Sequence, residues 1–323
     1  MNPFAAGALA VSTAFAIAGA CLWLLRVVPV SKPLLMAVVG ATSLLCPLLI
    51  PAEYVRTRAL ASVFCIEIWL KLIDLARVTS DPRHASVTLT QALLFLIPFP
   101  TLLVVFDDKQ RRTGAWIERR DVLRATIGGA IVIAAFCTLK LLAQVPAFQQ
   151  SFVLDHVVKL LLFVVTIESL AQASLGVERL LGYDTTPIVR WAFLSKTVGE
   201  FWYRYNNRVH RWLHYNVFIP CRGFGAPIRG VLLTFFASAV LHELMFGIAT
   251  SRFDGYQFAF FMLQAPAVLI SQRIAQVRTR HQTILREINR LLTILWFTVS
   301  SILFFHGVDR VFPDYYTSQP WLP

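Results

Sequence analysis

His242 and Glu243 sit side by side in the apolar run GVLLTFFASAVLHELMFGIAT, where a titratable side chain is costly to bury and marks a functional site by default. An imidazole with its ordinary pKa of about 6.5 is well suited to take a proton from a hydroxyl at neutral pH. At about 1.5 Å per residue, a helix entering near Gly230 places His242 roughly 18 Å along, close to the bilayer midplane. Ser238 lies one turn before His242. Glu243 points about 100° away, placed to orient a neighbouring group or pair with an arginine. A buried histidine that only hydrogen-bonds a neighbouring helix is the alternative reading.

A second cluster precedes it in EFWYRYNNRVHRWLHYNVFIPCR. Read as one helix from Glu200 to Asn216, it puts Asn206 and His210 on one face, with Arg204, Arg208 and Arg211 as a basic stripe beside them. Arginine recognises phosphate well, so these three, with Trp212 and Arg222, are candidates to hold a nucleotide-bearing donor. Trp202, Tyr203, Tyr205, Trp212 and Tyr215 equally suit an interfacial anchor. His210 and His214 have the spacing of a zinc helix, but HRWLH lacks the glutamate of the HExxH pattern and no third ligand is indicated. No metal is expected.

The elements that must carry these residues are membrane helices. Of the 323 residues 57% are hydrophobic and only 15% charged, far from a soluble domain. About nine apolar segments reach spanning length: roughly 4–24, 33–50, 59–76, 88–106, 122–145, 153–174, 230–250, 256–272 and 289–307. Met1 to Phe4 carry no Lys or Arg, so the first segment reads as a retained helix and not a signal peptide. The expected architecture is all-α, a single membrane domain over 1–323, with interfacial or re-entrant helices between the sixth and seventh spans.

The net charge of +12 resides in membrane flanks: DDKQRRTGAWIERRDVLR, the 190–229 region and RIAQVRTRHQTILREINR. Two candidate helices separate each patch from the next, so all three, with the 176–229 region, fall on one face, which the positive-inside rule makes cytoplasmic. Nucleic acid is a poor partner for such a chain; membrane lipids are the expected surroundings. Arg26, Lys32, Arg77 and Arg83 leave the orientation of the first four helices open. The five cysteines show no paired spacing for metal or redox chemistry. Glu67, Lys71 and Asp74, at i, i+4 and i+7, form either a salt-bridge chain or part of a tunnel lining, and Glu168 is a second tunnel candidate. His306, near the end of the last helix, is expected at the interface.

FWYRYNNRVHRWLHYNVFIP resembles the FYxDWWN-type motif region of the diacylglycerol and sterol acyltransferases, with Phe201, Trp202, Asn206, Val209, His210, Trp212 and Pro220 at matching positions. SAVLHEL resembles the histidine motif of the same superfamily, the membrane-bound O-acyltransferases. The run VLHELMFGIATSRFDGYQFAFFMLQAPAVL is similar to the smaller wax-ester-synthase-like branch, and Arg204 stands where the acyl-glycerol enzymes carry an acidic residue. The motif-bearing stretch covers roughly 185–272.

The resemblance implies transfer of a fatty acyl group from acyl-CoA to a lipidic hydroxyl (fatty alcohol, diacylglycerol or sterol) in a ternary complex. It makes His242 the general base and Asn206 the group that holds the thioester carbonyl or developing oxyanion. His210, Glu243, Trp202 and Ser238 support them, with acyl-CoA as donor substrate and no cofactor. Acylation of a polysaccharide, peptide or specialised metabolite is an alternative. A lipid transporter or scaffold is the non-enzymatic one, although paired halves with broken helices, the mark of many transporters, are not seen. Oligomeric state, acceptor and chain length are not written in the motifs.

Overall fold

The structure, a computed structural model, describes residues 2–27, 31–79, 87–99, 106, 118–276, 282–313 and 315–318. Arg83 and the basic stretches 107–117 and 277–281 lie outside the described residues, as does the side chain of Arg26. The fold is all-α. In α1 (Pro3–Val27) alanines recur every fourth residue, and Ala6, Ala10, Ala14 and Ala18 are all fully buried, so small side chains let its backbone lie close against α3 (Val55–Val78). Between them runs α2 (Lys32–Leu45), extended by a 3₁₀ turn over Cys46–Leu49. A short α4 (Leu89–Leu96) starts at a capping box in which Thr88 and Gln91 satisfy each other's backbone N–H groups.

The next pair, α5 (Arg119–Leu142) and α7 (Phe152–Leu180), joined through α6 (Pro146–Gln150), is held by reciprocal glycines. A Cβ on Gly128 would lie 2.6 Å from the Ser169 carbonyl oxygen, and one on Gly176 would lie 2.6 Å from that of Asp121. The two backbones therefore touch, antiparallel, with the start of α5 beside the end of α7. After the intervening segment come α10 (Pro227–Thr250), α11 (Tyr256–Gln276) and α12 (Gln282–Val311). Buried polar groups join α11 to α12: Gln257 Nε2 donates to the Phe304 carbonyl at 2.8 Å, and Trp296 Nε1 donates to Gln264 Oε1 at 2.9 Å.

Seven helices among the described residues are long and apolar enough to cross a membrane. The two further segments in the expectation of about nine differ for physical reasons. α3 has the length but carries Arg58, Glu67, Lys71 and Asp74, all buried inside the protein, and between 88 and 106 the described residues are helical only over Leu89–Leu96. His306, expected at the interface, is instead buried: its Nε2 accepts from Arg310 Nε at 2.9 Å, and its ring lies 4.2 Å from that of Tyr256.

Candidate active site

The segment expected as one helix from Glu200 to Asn216 is broken. α8 (Val198–Arg204) starts where Thr197 Oγ1 accepts the Glu200 N–H, and α9 (Asn207–Leu213) starts at Asn206, with a π-turn over His214–Phe218 after it. The break is at Asn206 itself, whose backbone is left-handed at φ 47° while its Oδ1 accepts the Val209 N–H at 3.3 Å. Asparagine is among the few residues that tolerate that conformation, and it caps the helix it begins. Thus one residue both turns the chain and presents an amide at the corner. α9 is anchored to α3 by Trp212, whose indole N–H donates to the Leu70 carbonyl at 2.8 Å, and the π-turn by Asn216, whose Nδ2 donates to Asp74 Oδ1 at 3.1 Å.

His242 is half-buried on α10, and its Nδ1 lies 2.8 Å from the Ser238 carbonyl oxygen one turn earlier. A carbonyl can only accept, so Nδ1 carries the proton and the lone pair of the neutral ring is on Nε2. Ser238 thus acts through its backbone and not its hydroxyl. The ring leans on Phe261 of α11, with centroids 3.9 Å apart, and on the same phenyl ring lies Trp202 of α8 at 5.6 Å. Phe201, Tyr205, Phe235, Phe260 and Phe297 complete the aromatic wall around Trp202. Within it the Trp202 Nε1–H is buried and has no acceptor among the described residues. A buried donor without a partner costs stability, which is the usual sign of a group kept for a ligand.

The other expected residues divide into structural and available groups. Glu243 accepts from the Gly255 and Phe258 N–H groups at 2.8 and 3.0 Å, clamping the turn into α11 and so fixing Phe261 against His242; its partners are backbone amides and not an arginine. The basic stripe does not exist as a surface. Arg208 is 2% exposed and forms a bidentate pair with buried Glu178, with Nε donating to the Thr186 carbonyl at 3.0 Å, so it cannot reach a donor phosphate. Trp212 is likewise buried, its indole spent on α3, and is not a donor-binding surface. Arg204 is held by Glu200 at 2.6 Å but remains partly exposed, while Arg211 is half-buried and Arg222 exposed in the turn before α10.

His210 packs edge-on to Tyr203 and parallel to His214, and burial together with His214 holds its pKa below the usual histidine value. Glu67 is buried against Lys71 at 3.0 Å, the salt-bridge reading, whereas Asp74 leaves that chain for Arg77. Glu168 accepts the Ala192 N–H at 2.9 Å and lines a groove between α5 and α7; burial, and secondarily this carboxylate, pushes the Tyr205 phenol up to about 12.

Glu178 and Phe261 were not foreseen. Glu178 lies 30 positions from Arg208, and Phe261 is one of 25 phenylalanines, so neither stands out in the sequence.

A family model described as the membrane-bound O-acyltransferase family matches residues 139–306, a stretch holding α7 to α11 and most of α12. Diacylglycerol O-acyltransferase 1 of Corylus americana is 39% identical over 79 residues, 24% of this chain and 14% of that protein. Diacylglycerol O-acyltransferase 1 of Arabidopsis thaliana is 30% identical over 83 residues (25% and 16%), and a probable sterol O-acyltransferase 2 of Schizosaccharomyces pombe is 35% identical over 77 (24% and 16%). The similar stretch thus spans only about a sixth of the length of these curated relatives. The match across just over half of the chain, taking in both the corner at Asn206 and the histidine of α10, shows that this multi-pass membrane protein belongs to the membrane-bound O-acyltransferase family.

Proposed function

We propose that the protein transfers a fatty acyl group from acyl-CoA to the hydroxyl of a lipid, with His242 as general base. The observation that carries this reading is the state of His242: one ring nitrogen is fixed by the Ser238 carbonyl, and the other is a base without a hydrogen bond among the described residues, inside an apolar helix and facing an aromatic wall. The acceptor oxygen attacks the thioester carbonyl carbon as its proton moves to Nε2. The carbon–sulfur bond then breaks and the leaving thiolate takes that proton, giving ester and free CoA thiol. Because the thioester is already activated, no serine nucleophile and no cofactor are needed.

Two donors suit the developing oxyanion. One is the Trp202 indole N–H, which lies against the ring that supports His242; the other is the Asn206 amide, whose Oδ1 is spent on the cap while Nδ2 is left to donate. Arg204, Arg211 and Arg222, which keep at least partial exposure, would meet the CoA phosphates, and with that assignment the 176–229 segment would lie on the cytoplasmic face. The relatives named for diacylglycerol and sterol acylation favour a lipidic acceptor, and the wax-ester-like run after His242 adds fatty alcohols to the set.

The test is mass spectrometry of lipids formed when the purified protein meets a mixed acyl-CoA pool and a panel of fatty alcohols, diacylglycerols and sterols. A new ester that depends on both substrates is the expected result and names them. Consumption of acyl-CoA without any lipid ester would move the acceptor to a polar molecule. No consumption by folded protein would overturn the reading.

A further inference from the structure

One cavity of the molecule has no lining residue near His242 in the chain. It is a groove of about 810 Å³ between α5 and α7, open along its length, and within the range of ordinary ligand sites. Its walls below are Leu123, Ile127 and Ile131 of α5 and Val164 and Val165 of α7, with Gly128 at its floor, where the two backbones meet. At one end stand Arg119, Arg120 and Arg124, while Trp191 and Phe193 flank Ala192, whose N–H is held by Glu168 further along the groove.

The groove therefore has a head and a tail. From Arg119 to Ile131 is about 18 Å of helix, close to the depth of one leaflet of a hydrocarbon core about 30 Å thick. The charges at the head sum in favour of an anion. Arg120 shares the exposed Glu118 at 3.1 Å, Arg124 holds the buried Asp121 at 3.2 Å, and Arg119 enters no ion pair among the described residues. Glu168 also lines the groove, but its carboxylate is turned to the Ala192 N–H. Basic pockets between membrane helices select anionic headgroups by the same physics.

We propose that this groove is a binding site for a single anionic phospholipid of the surrounding leaflet, its phosphate on Arg119 and Arg120 and one acyl chain between α5 and α7. The site is separate from the acyl-transfer chemistry and stands whether or not that reading holds.

The experiment is native mass spectrometry of the full chain extracted from vesicles containing equal amounts of phosphatidylcholine and phosphatidylglycerol. Wild type retains phosphatidylglycerol over phosphatidylcholine, and the preference falls about fivefold for each arginine removed in Arg119→Gln and Arg120→Gln. Both side chains are exposed, and Arg124 is left in place because it neutralises Asp121, so folding is not at stake. Ile127→Trp, which fills the groove without touching a charge, lowers retention of both lipids. Equal retention of the two lipids by wild type, an unchanged preference in the double arginine variant, or undiminished binding in Ile127→Trp would each overturn the proposal.

Discussion

Two histidines on membrane helices, His242 and His156, are placed in opposite ways. His156, at the start of α7, is 3% exposed and has both nitrogens engaged: Nε2 lies 2.7 Å from the Thr298 carbonyl, so it carries the proton, and Nδ1 accepts from the Tyr316 hydroxyl at 2.6 Å. Burial and the carboxylates of Asp155 and Asp309 push the Tyr316 phenol up, which keeps it a donor. Around it the Asp155–Lys159 pair holds residues 317 and 318: Asp155 accepts from the Thr317 and Ser318 N–H groups, and Lys159 donates to Thr317 Oγ1. His242 has one nitrogen engaged, the opposite tautomer, and a half-buried ring. Burial of a histidine in a membrane protein is thus no sign of chemistry by itself. What distinguishes the His242 ring from that of His156 is a second nitrogen without a hydrogen bond among the described residues.

The contrast is sharpest for turnover. His242→Gln removes the base and should lower ester formation by roughly 10²- to 10⁴-fold with little change in melting temperature. If melting temperature falls and turnover per folded molecule does not, the two histidines have exchanged roles. Arg208→Met tests the same distinction for arginines: it leaves Glu178 charged and buried, and should cost about 3–5 kcal/mol of stability, read from thermal unfolding in detergent. A stable Arg208→Met protein with weakened CoA binding would instead restore Arg208 to the donor site.

Asn206 shapes the corner and caps α9, and the proposed oxyanion role of its amide can be tested apart from the corner. Asn206→Gly keeps the left-handed corner and loses the amide, and turnover should fall about 10²-fold with stability nearly intact. Wild-type turnover in that variant would leave Asn206 as a cap and nothing more. His156→Phe strips two buried hydrogen bonds, with an expected loss of about 2 kcal/mol in stability and near-normal turnover per folded molecule.

The smallest effect belongs to His210. Its pKa is lowered in the folded protein, so only the unfolded chain gains a proton as pH falls through 6.5. Stability should therefore decline below that pH, levelling off under the folded pKa, and His210→Gln should remove the decline. A wild-type melting curve that is equally pH-dependent in the variant would show that another group is responsible.

His242 stands out in the sequence because an ionisable residue in an apolar run is costly to bury, and Trp202 and Asn206 stand out through the motif region they share with the acyltransferases. The sequence did not reveal which arginines are buried. Helical spacing put Arg204, Arg208 and Arg211 on one stripe, but the left-handed corner at Asn206 separates Arg204 from the other two, and Glu178, 30 positions away, claims Arg208. The number of membrane helices was blurred for a related reason. α3 has the length and apolar runs of a span, but its charges are paired inside the protein, Glu67 with Lys71 and Asp74 with Arg77. Tertiary pairing of charges leaves no periodic trace, whereas an apolar helix face does.

The most direct test of the account is the protonation of the His242 ring itself, read by nitrogen NMR on protein labelled only at histidine, with the signal assigned by its loss in His242→Gln. The account predicts a neutral ring at pH 7 with the proton on Nδ1 and a bare Nε2, opposite to the tautomer of His156. A proton on Nε2, or on both nitrogens, would leave no base facing the aromatic wall and would contradict it.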